Sequence, residues 1–262
     1  MKKLENKVVV VTGAAMGNGF GIAKVMGKYG AKLVLTDIAP LDDAVNELKK
    51  LGYEAMGIHM DVSNSYEVKN GIEKVIEKYG RIDTLVNNAG IIRLGSLLET
   101  SDEIRDFHFN VNINGVWNVT KAVMPYMQKE GYGRIVNLSS VTGFMVVDKG
   151  ECAYATTKAA IMGFTRAVAR EAAEYNITCN AILPGYILTP MAEQIANESN
   201  PSNPDSVIDG IASAVPLGRL GTIEEVGEVA AFLGSDESSY ITGTPIVIDG
   251  GSTLPETVSV GV

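Results

Sequence analysis

Cysteine is scarce: the 262 residues hold two, Cys152 and Cys179, in no Cys-x-x-Cys arrangement. That excludes a disulfide scaffold and leads us to expect reduced thiols and a cytoplasmic setting. Histidine is equally scarce, with only His59 and His108, and no cluster has metal-ligand spacing. No metal is therefore expected. Long apolar runs are missing too. The start, Met1-Lys2-Lys3-Leu4, is basic for two residues, but the apolar run after it, Val8 to Val11, is too short for a signal peptide. Nothing approaches the roughly 18 apolar residues of a membrane span, so no membrane partner is expected. Positive charge is in deficit: 22 Lys and Arg stand against 31 Asp and Glu, a net charge of -9. An acidic surface repels polyanions, so no nucleic-acid partner is expected either. No Pro/Ser-rich linker divides the chain and no internal repeat is visible. One polar stretch, Asn197 to Asp205, is rich in Asn, Ser and Pro and is read as an exposed loop.

What is present is an alternation. Short β-branched runs at 8–11, 32–36, 55–59, 84–86, 134–138, 177–183 and 245–248 are separated by helical patterns. The helices are expected up to Tyr29, at 41–51, 65–79, 102–128 with one break, and 153–174. Fully apolar strands between helices are what a parallel sheet covered on both faces requires. With right-handed crossovers this is an α/β, Rossmann-type doubly wound sheet of seven parallel strands in a single domain over 1–262.

The first strand runs into Thr12-Gly13-Ala14-Ala15-Met16-Gly17-Asn18-Gly19. Glycines let a backbone approach a pyrophosphate, and the helix that follows directs its N-terminal amides at the anion. A tight turn needs glycines as well, so position decides: this turn follows a strand and opens a helix. Asp37 then ends the second strand, at the distance expected of a carboxylate that accepts hydrogen bonds from adenosine ribose hydroxyls. It would repel the 2′-phosphate of NADP, and Met16 and Ile38 stand where a cation could have compensated. NAD(H) is the expected cofactor. Asp61 and Val62 close the third strand, with Asp61 a candidate for the adenine amine. Asn88, Ala89 and Gly90 close the fourth, where small residues let backbone lie against the adenosine half. Each of these pairs is also ordinary turn composition.

Tyr154 and Lys158 lie four apart on an expected helix and so share a face. A phenol has a pKa near 10, and a neighbouring ammonium is expected to lower it toward useful acid/base chemistry. Such a pair also occurs by chance on surfaces. Ser139 and Ser140, at the carboxyl end of the fifth strand, change the balance. A hydroxyl there lies beside the crevice where doubly wound folds bind ligands, and Ser140 can hold a reacting oxygen near Tyr154.

With these motifs in order, Thr-Gly-x-x-x-Gly-x-Gly at 12–19, Asn-Asn-Ala-Gly at 87–90, Tyr-x-x-x-Lys at 154–158 and Pro184-Gly185, the chain resembles the short-chain dehydrogenase/reductase family from end to end. Through Ser139-Ser140-Val141-Thr142-Gly143 and the tail from Asp249 to Val262, it resembles that family's UcpA-type branch. The resemblance implies a catalytic set of Asn112, Ser140, Tyr154 and Lys158, with Lys158 also on the nicotinamide ribose. It implies that Ile187 and Thr189, after Pro184-Gly185, hold the carboxamide. Asn110 and Asn114 flank Asn112 without matching its place. Two departures stand out: the middle of the usual Gly-Ile-Gly is Asn18, and the loop from Val141 to Ala153 is slightly long.

The activity implied is interconversion of a secondary alcohol and a ketone. Thr142, Phe144, Met145, Val146, Val147, Cys152, Tyr186, Met191 and Ile195 are expected to line an apolar substrate pocket, with Arg93 the nearest cation in sequence terms. A bulky ketone such as a hydroxysteroid, for instance a 20β-hydroxysteroid, fits that expectation. A sugar, a small diketone or a 3-oxoacyl thioester is the alternative, and a catalytically inactive NAD-sensing protein is the alternative from another class. The segment 186–216 is expected to act as a lid. The helices at 102–128 and 153–174, apolar on more than one face, and the tail at 250–262 are expected to pair subunits into a homotetramer, as in the family.

Overall fold

The computed structural model describes residues 2–254, without the side chains of 191, 194, 195 and 198. In chain order the strands are β1 (Val8–Thr12), β2 (Lys32–Asp37), β3 (Ala55–His59), β4 (Thr84–Asn87), β5 (Gly133–Leu138), β6 (Ile177–Pro184), β7 (Ile187–Leu188), β8 (Gly221–Thr222) and β9 (Pro245–Ile248). Seven of them form one sheet in the order β3-β2-β1-β4-β5-β6-β9, and every pairing is parallel. The sheet is the one expected from the apolar runs. The chain reverses its direction of winding between β1 and β4, which opens a crevice at the carboxyl ends of those strands. β7 and β8 form a separate two-residue pair, too short to leave a periodic signal.

The helices are α1 (Gly17–Lys28), α2 (Asp42–Lys50), α3 (Ser65–Tyr79), α4 (Asp102–Phe109), α5 (Gly115–Glu130), α6 (Cys152–Ala172), α7 (Pro190–Ser199), α8 (Pro204–Ser213) and α9 (Ile223–Leu233). Alternation along each strand divides the core between two faces. Val9, Val11, Leu33 and Leu35 pack with Ile22 and Met26 of α1, Leu48 of α2 and Val226 and Ala230 of α9. Val8, Val10 and Val34 face the other way, against Ile72 and Val75 of α3, Val119 and Val123 of α5 and Val168 of α6. Each such fully buried side chain contributes about 1.5–3 kcal/mol relative to exposure, so the strand ends that carry the site are held by a rigid layer.

Two expectations need correction. The break in the helical stretch 102–128 is not an interruption: α4 and α5 are joined by a π-helical turn, Asn110–Asn114. The polar stretch from Asn197 to Asp205 is not one loop. α7 runs to Ser199 and α8 begins at Pro204, leaving 200–203 as the connection. Proline is suited to a first helical turn, where its missing N–H is no loss, so Pro190 and Pro204 mark helix starts instead of loop. α9 was not anticipated, although Thr222 and Glu225 form a reciprocal capping box at its start.

Candidate active site

The loops after β1, β4, β5 and β6 surround one cleft of about 510 Å³. Its walls include Gly13, Gly17, Asn18 and Asp37 at one end and Ser140, Tyr154 and Lys158 at the other. Val62, Asn88, Ala89, Gly90, Pro184, Gly185, Ile187 and Thr189 also line it. Three expected residues do not reach this surface. Gly19 is buried behind the turn, where a Cβ would stand 2.1 Å from the Gly13 carbonyl oxygen. Asp61 turns its carboxylate to the Ser63 amide at 2.8 Å and hydroxyl at 2.7 Å, capping the approach to α3. Asn112 is completely buried beneath the floor.

The nucleotide end is built around β1. Gly13 and Gly17 take φ of 63° and 58°, in the left-handed region that favours glycine. At Gly13 a Cβ would meet the Ala89 Cα at 2.8 Å, whereas at Gly17 it would meet nothing within 4 Å. The turn therefore packs tightly on one side and opens toward the cleft on the other. Asn88 fixes it by donating to the carbonyls of Thr12 at 3.0 Å and Gly13 at 2.8 Å. The Thr12 hydroxyl accepts from the Asn88 and Ala89 amides, both at 3.0 Å. Asp37 accepts from the Ala15 amide at 2.9 Å and the Ala39 amide at 3.0 Å, one on each carboxylate oxygen. Each oxygen keeps acceptor capacity for a hydroxyl in the cleft. Its neighbours Met16 and Ile38 are 60% and 66% exposed and carry no charge. The open glycine cradle and the free carboxylate acceptors fit a nicotinamide dinucleotide.

At the other end, α6 carries Tyr154 and Lys158 to the carboxyl edge of β5. The Lys158 ammonium is buried and donates to the Leu138 carbonyl at 2.9 Å, while the Ser139 hydroxyl donates to the Lys158 carbonyl at 2.8 Å. Burial pushes the Lys158 pKa down to about 8. The Ser140 hydroxyl lies near the Tyr154 phenol and accepts from the Thr142 amide at 3.1 Å. The Tyr154 pKa is raised, by burial first; the Ser140 hydroxyl lowers it and the Glu151 carboxylate raises it. The expected lowering by Lys158 is thus not the dominant effect. Lys158 Nζ lies 5.6 Å from the centre of the phenol ring with its ammonium turned to the Leu138 carbonyl, and desolvation sets the direction of the shift. The phenol stays protonated and is a donor.

Asn112 sits in the π-turn, and both ends of its carboxamide are engaged. It donates to the Ile91 carbonyl and the Thr157 hydroxyl, both at 3.0 Å, and accepts from the Ile91 amide at 2.8 Å. It fastens the loop after β4 to α6, with Thr157 as a partner that nothing in the sequence reading singled out. A Cβ at Gly90 would stand 3.3 Å from its Oδ1 and 3.6 Å from Lys158 Nζ, so glycine lets the loop close over both. Ile91, Ile92, Val111, Leu138 and Pro190 line the cleft without having been anticipated. They are apolar, and apolar residues beside a strand end read equally as core.

The expected substrate pocket does not form one surface with this cleft. Phe144, Met145, Val146 and Val147 line a separate hollow of about 520 Å³ with Ala155, Thr156 and Ala159 of α6. The side chains of Met191 and Ile195, and the tail from 255 on, lie outside the described residues. Of the two thiols, Cys152 is exposed and Cys179 is buried, with its pKa pushed up to about 12. Among the described residues no helix is long and apolar enough to cross a membrane.

A parallel sheet with this strand order, a glycine cradle after β1 and a serine, tyrosine and lysine around one cleft define a nicotinamide-nucleotide oxidoreductase. The chain belongs to the short-chain dehydrogenase/reductase family: residues 13–253 match the family model described as enoyl-(acyl carrier protein) reductase. It is 56% identical over 263 residues to oxidoreductase UcpA of Escherichia coli strain K12, with both chains covered completely. It is 43% identical over 254 residues to the 3-oxoacyl-[acyl-carrier-protein] reductase FabG of Thermotoga maritima, covering 96% of this chain and 100% of that one. Among solved structures it is similar to the ligand-free aldohexose dehydrogenase of Thermoplasma acidophilum. There the TM-score is 0.90 and the identity 33%, covering 100% of this chain and 99% of that one.

Proposed function

We propose that this oxidoreductase uses NAD(H) to reduce a small ketone, or to oxidise the matching secondary alcohol, with Tyr154 as the proton donor. The carrying observation is the junction of Ser140, Tyr154 and Lys158 at one end of a cleft whose other end is Asp37. When bound, the cofactor supplies or accepts the hydride. Ser140 holds the substrate oxygen, Tyr154 gives it a proton, and Lys158 binds ribose from the floor. Asn112 holds the loop after β4 against α6 and so keeps Tyr154 and Lys158 in place. Gly13, Gly17 and Asn18 border the pyrophosphate, Asn88, Ala89, Gly90 and Val62 the adenosine half, and Pro184, Gly185, Ile187 and Thr189 the nicotinamide. α7 and α8 form the lid over 186–216.

The separation of Phe144 to Val147 from the cleft removes much of the wall that a steroid would need. The geometry therefore favours the alternative, a sugar, a small diketone or a 3-oxoacyl thioester, over a hydroxysteroid, and the likenesses to an aldohexose dehydrogenase and a 3-oxoacyl-[acyl-carrier-protein] reductase support it. Following NADH absorbance with 2,3-butanedione, an aldohexose lactone pair and a 20-ketosteroid separates these. The smaller compounds are expected to turn over faster, by tenfold or more in kcat/KM on the scale of about 1.4 kcal/mol. Turnover of the steroid alone would restore the bulky-substrate reading.

We read the assembly as a homotetramer in the cytoplasm. Ile104, Phe107 and Trp117 on α4 and α5 are exposed, and Ala159, Ala160, Gly163 and Ala167 give α6 a bare, exposed side on which another helix can lie close. Light scattering is expected to give four subunits; a monomer at micromolar concentration would refute the assembly.

A further inference from the structure

We propose that Glu151 and Asp148 form a negative rim at the substrate end of the cleft, which repels anions and so selects uncharged ketones over anionic ones. The substrate-selection part of this rests on the dehydrogenase reading; the repulsion itself does not.

Three segments bring the rim together. Glu151 immediately precedes α6 and stands one turn from Tyr154; its carbonyl accepts from the Ala155 amide at 2.7 Å. Its carboxylate accepts from the Asp148 amide at 3.0 Å, which folds the loop 148–151 into a compact turn. A β-bridge joins Glu151 to Gly95, and the Gly95 amide donates to the Gly150 carbonyl at 2.8 Å. The rim is therefore fastened to the segment whose Ile91 and Ile92 line the cleft. Tyr186, 46% exposed between the cleft-lining Gly185 and Ile187, completes the mouth. Both phenols register the carboxylates. Glu151 raises the pKa of Tyr154, and Asp148 and Glu151 raise that of Tyr186, in each case after burial.

Neither charge is neutralised by an ion pair, although Lys149 lies between them in the loop. Among the described residues neither carboxylate is paired with a lysine or arginine. The one cation among the cleft-lining residues is Lys158, which is buried and held by the Leu138 carbonyl. Arg93 is exposed and bends back to the carbonyl of Ile92 at 3.1 Å; Lys149 is exposed beside the rim. The phenols at the mouth nevertheless register the carboxylates and neither Lys149 nor Arg93, so a substrate carboxylate or phosphate entering past Tyr186 meets a site of like charge. At the ranges set by one helical turn and partial exposure, such a pair is expected to shift selectivity by about tenfold, and salt will screen it.

Cys152, exposed next to Glu151, reports the potential without any turnover, because Cys179 is buried. The experiment compares the wild-type protein with the double variant Asp148→Asn, Glu151→Gln. In one arm Cys152 is modified by a cationic and by an anionic methanethiosulfonate of equal size. In the other, kcat/KM is measured for 2,3-butanedione and for its anionic counterpart 2-oxobutanoate. The cationic reagent is expected to react about tenfold faster than the anionic one in the wild type, with the ratio falling toward one in the variant. The ratio of 2-oxobutanoate to 2,3-butanedione turnover is expected to rise about tenfold in the variant, and to rise less in 0.5 M salt. Equal thiol ratios in the two proteins, or a ketone ratio that the variant leaves unchanged, would overturn the proposal. A thiol ratio that collapses while no ketone is reduced by either protein would support the repulsion and defeat the dehydrogenase reading instead.

Discussion

Replacing Tyr154 by phenylalanine is expected to lower ketone reduction by about 10³-fold while changing NADH affinity less than about twofold. The ring remains, so packing against α6 and the position of Lys158 remain. What leaves is the single hydroxyl that shares the cleft with Ser140. Burial raises the Tyr154 pKa, so in the cofactor-free protein the phenol is protonated across the neutral range. Reduction, which consumes that proton, is expected to be nearly flat with pH there. Oxidation needs the phenolate, and its rate is expected to climb as pH rises toward the raised pKa. Stopped-flow absorbance of NADH with the wild type and with Tyr154→Phe, in both directions and over a pH series, reads all of this. Substantial reduction by Tyr154→Phe would remove the tyrosine from the chemistry.

The second large effect concerns cofactor choice. NADH is expected to bind about 100-fold more tightly than NADPH, because the extra phosphate would face Asp37 with no cation in reach, and a like-charge contact costs several kcal/mol. The flanking Met16 and Ile38 offer nothing to compensate. Asp37→Asn removes the charge while keeping the shape, and should reduce that preference at least about tenfold. Asn cannot accept on both sides, so one of the bonds from the Ala15 and Ala39 amides is lost and absolute affinity for both cofactors will fall. The ratio, taken from fluorescence titrations of the two cofactors, is therefore the informative quantity. Equal affinities in the wild type would contradict the role given to Asp37.

The parts of this molecule that a linear pattern can carry were legible. β1 is a valine run between polar residues, which is what a strand buried on both faces between β2 and β4 requires. The glycine turn and the Tyr154–Lys158 spacing are local, and local geometry maps directly onto sequence distance. What escaped was set by long-range contact. Thr157 matters only because Asn112, 45 residues earlier, donates to it. The direction of the Tyr154 pKa shift depends on how deeply the fold buries it, which no spacing states. Phe144 to Val147 read as pocket because they are apolar and near Ser140 in the chain. The turn at Gly143, with φ of 87°, carries them to another face of α6. The stretch around Pro204 read as loop because Asn, Ser and Pro favour turns, yet the same proline is well placed in a first helical turn.

The proposed reaction is hydride transfer between NADH and a substrate carbonyl in the cleft between Asp37 and Tyr154. The most direct test supplies NADH deuterated at the transferable C4 position with 2,3-butanedione and weighs the product by mass spectrometry. The account predicts that deuterium appears on the new carbinol carbon, and that Tyr154→Phe loses this product while still binding NADH. Tight binding of NADH by the wild-type protein, with the label kept in the cofactor whichever ketone or sugar is offered, would contradict it and leave a nucleotide-binding protein without the chemistry.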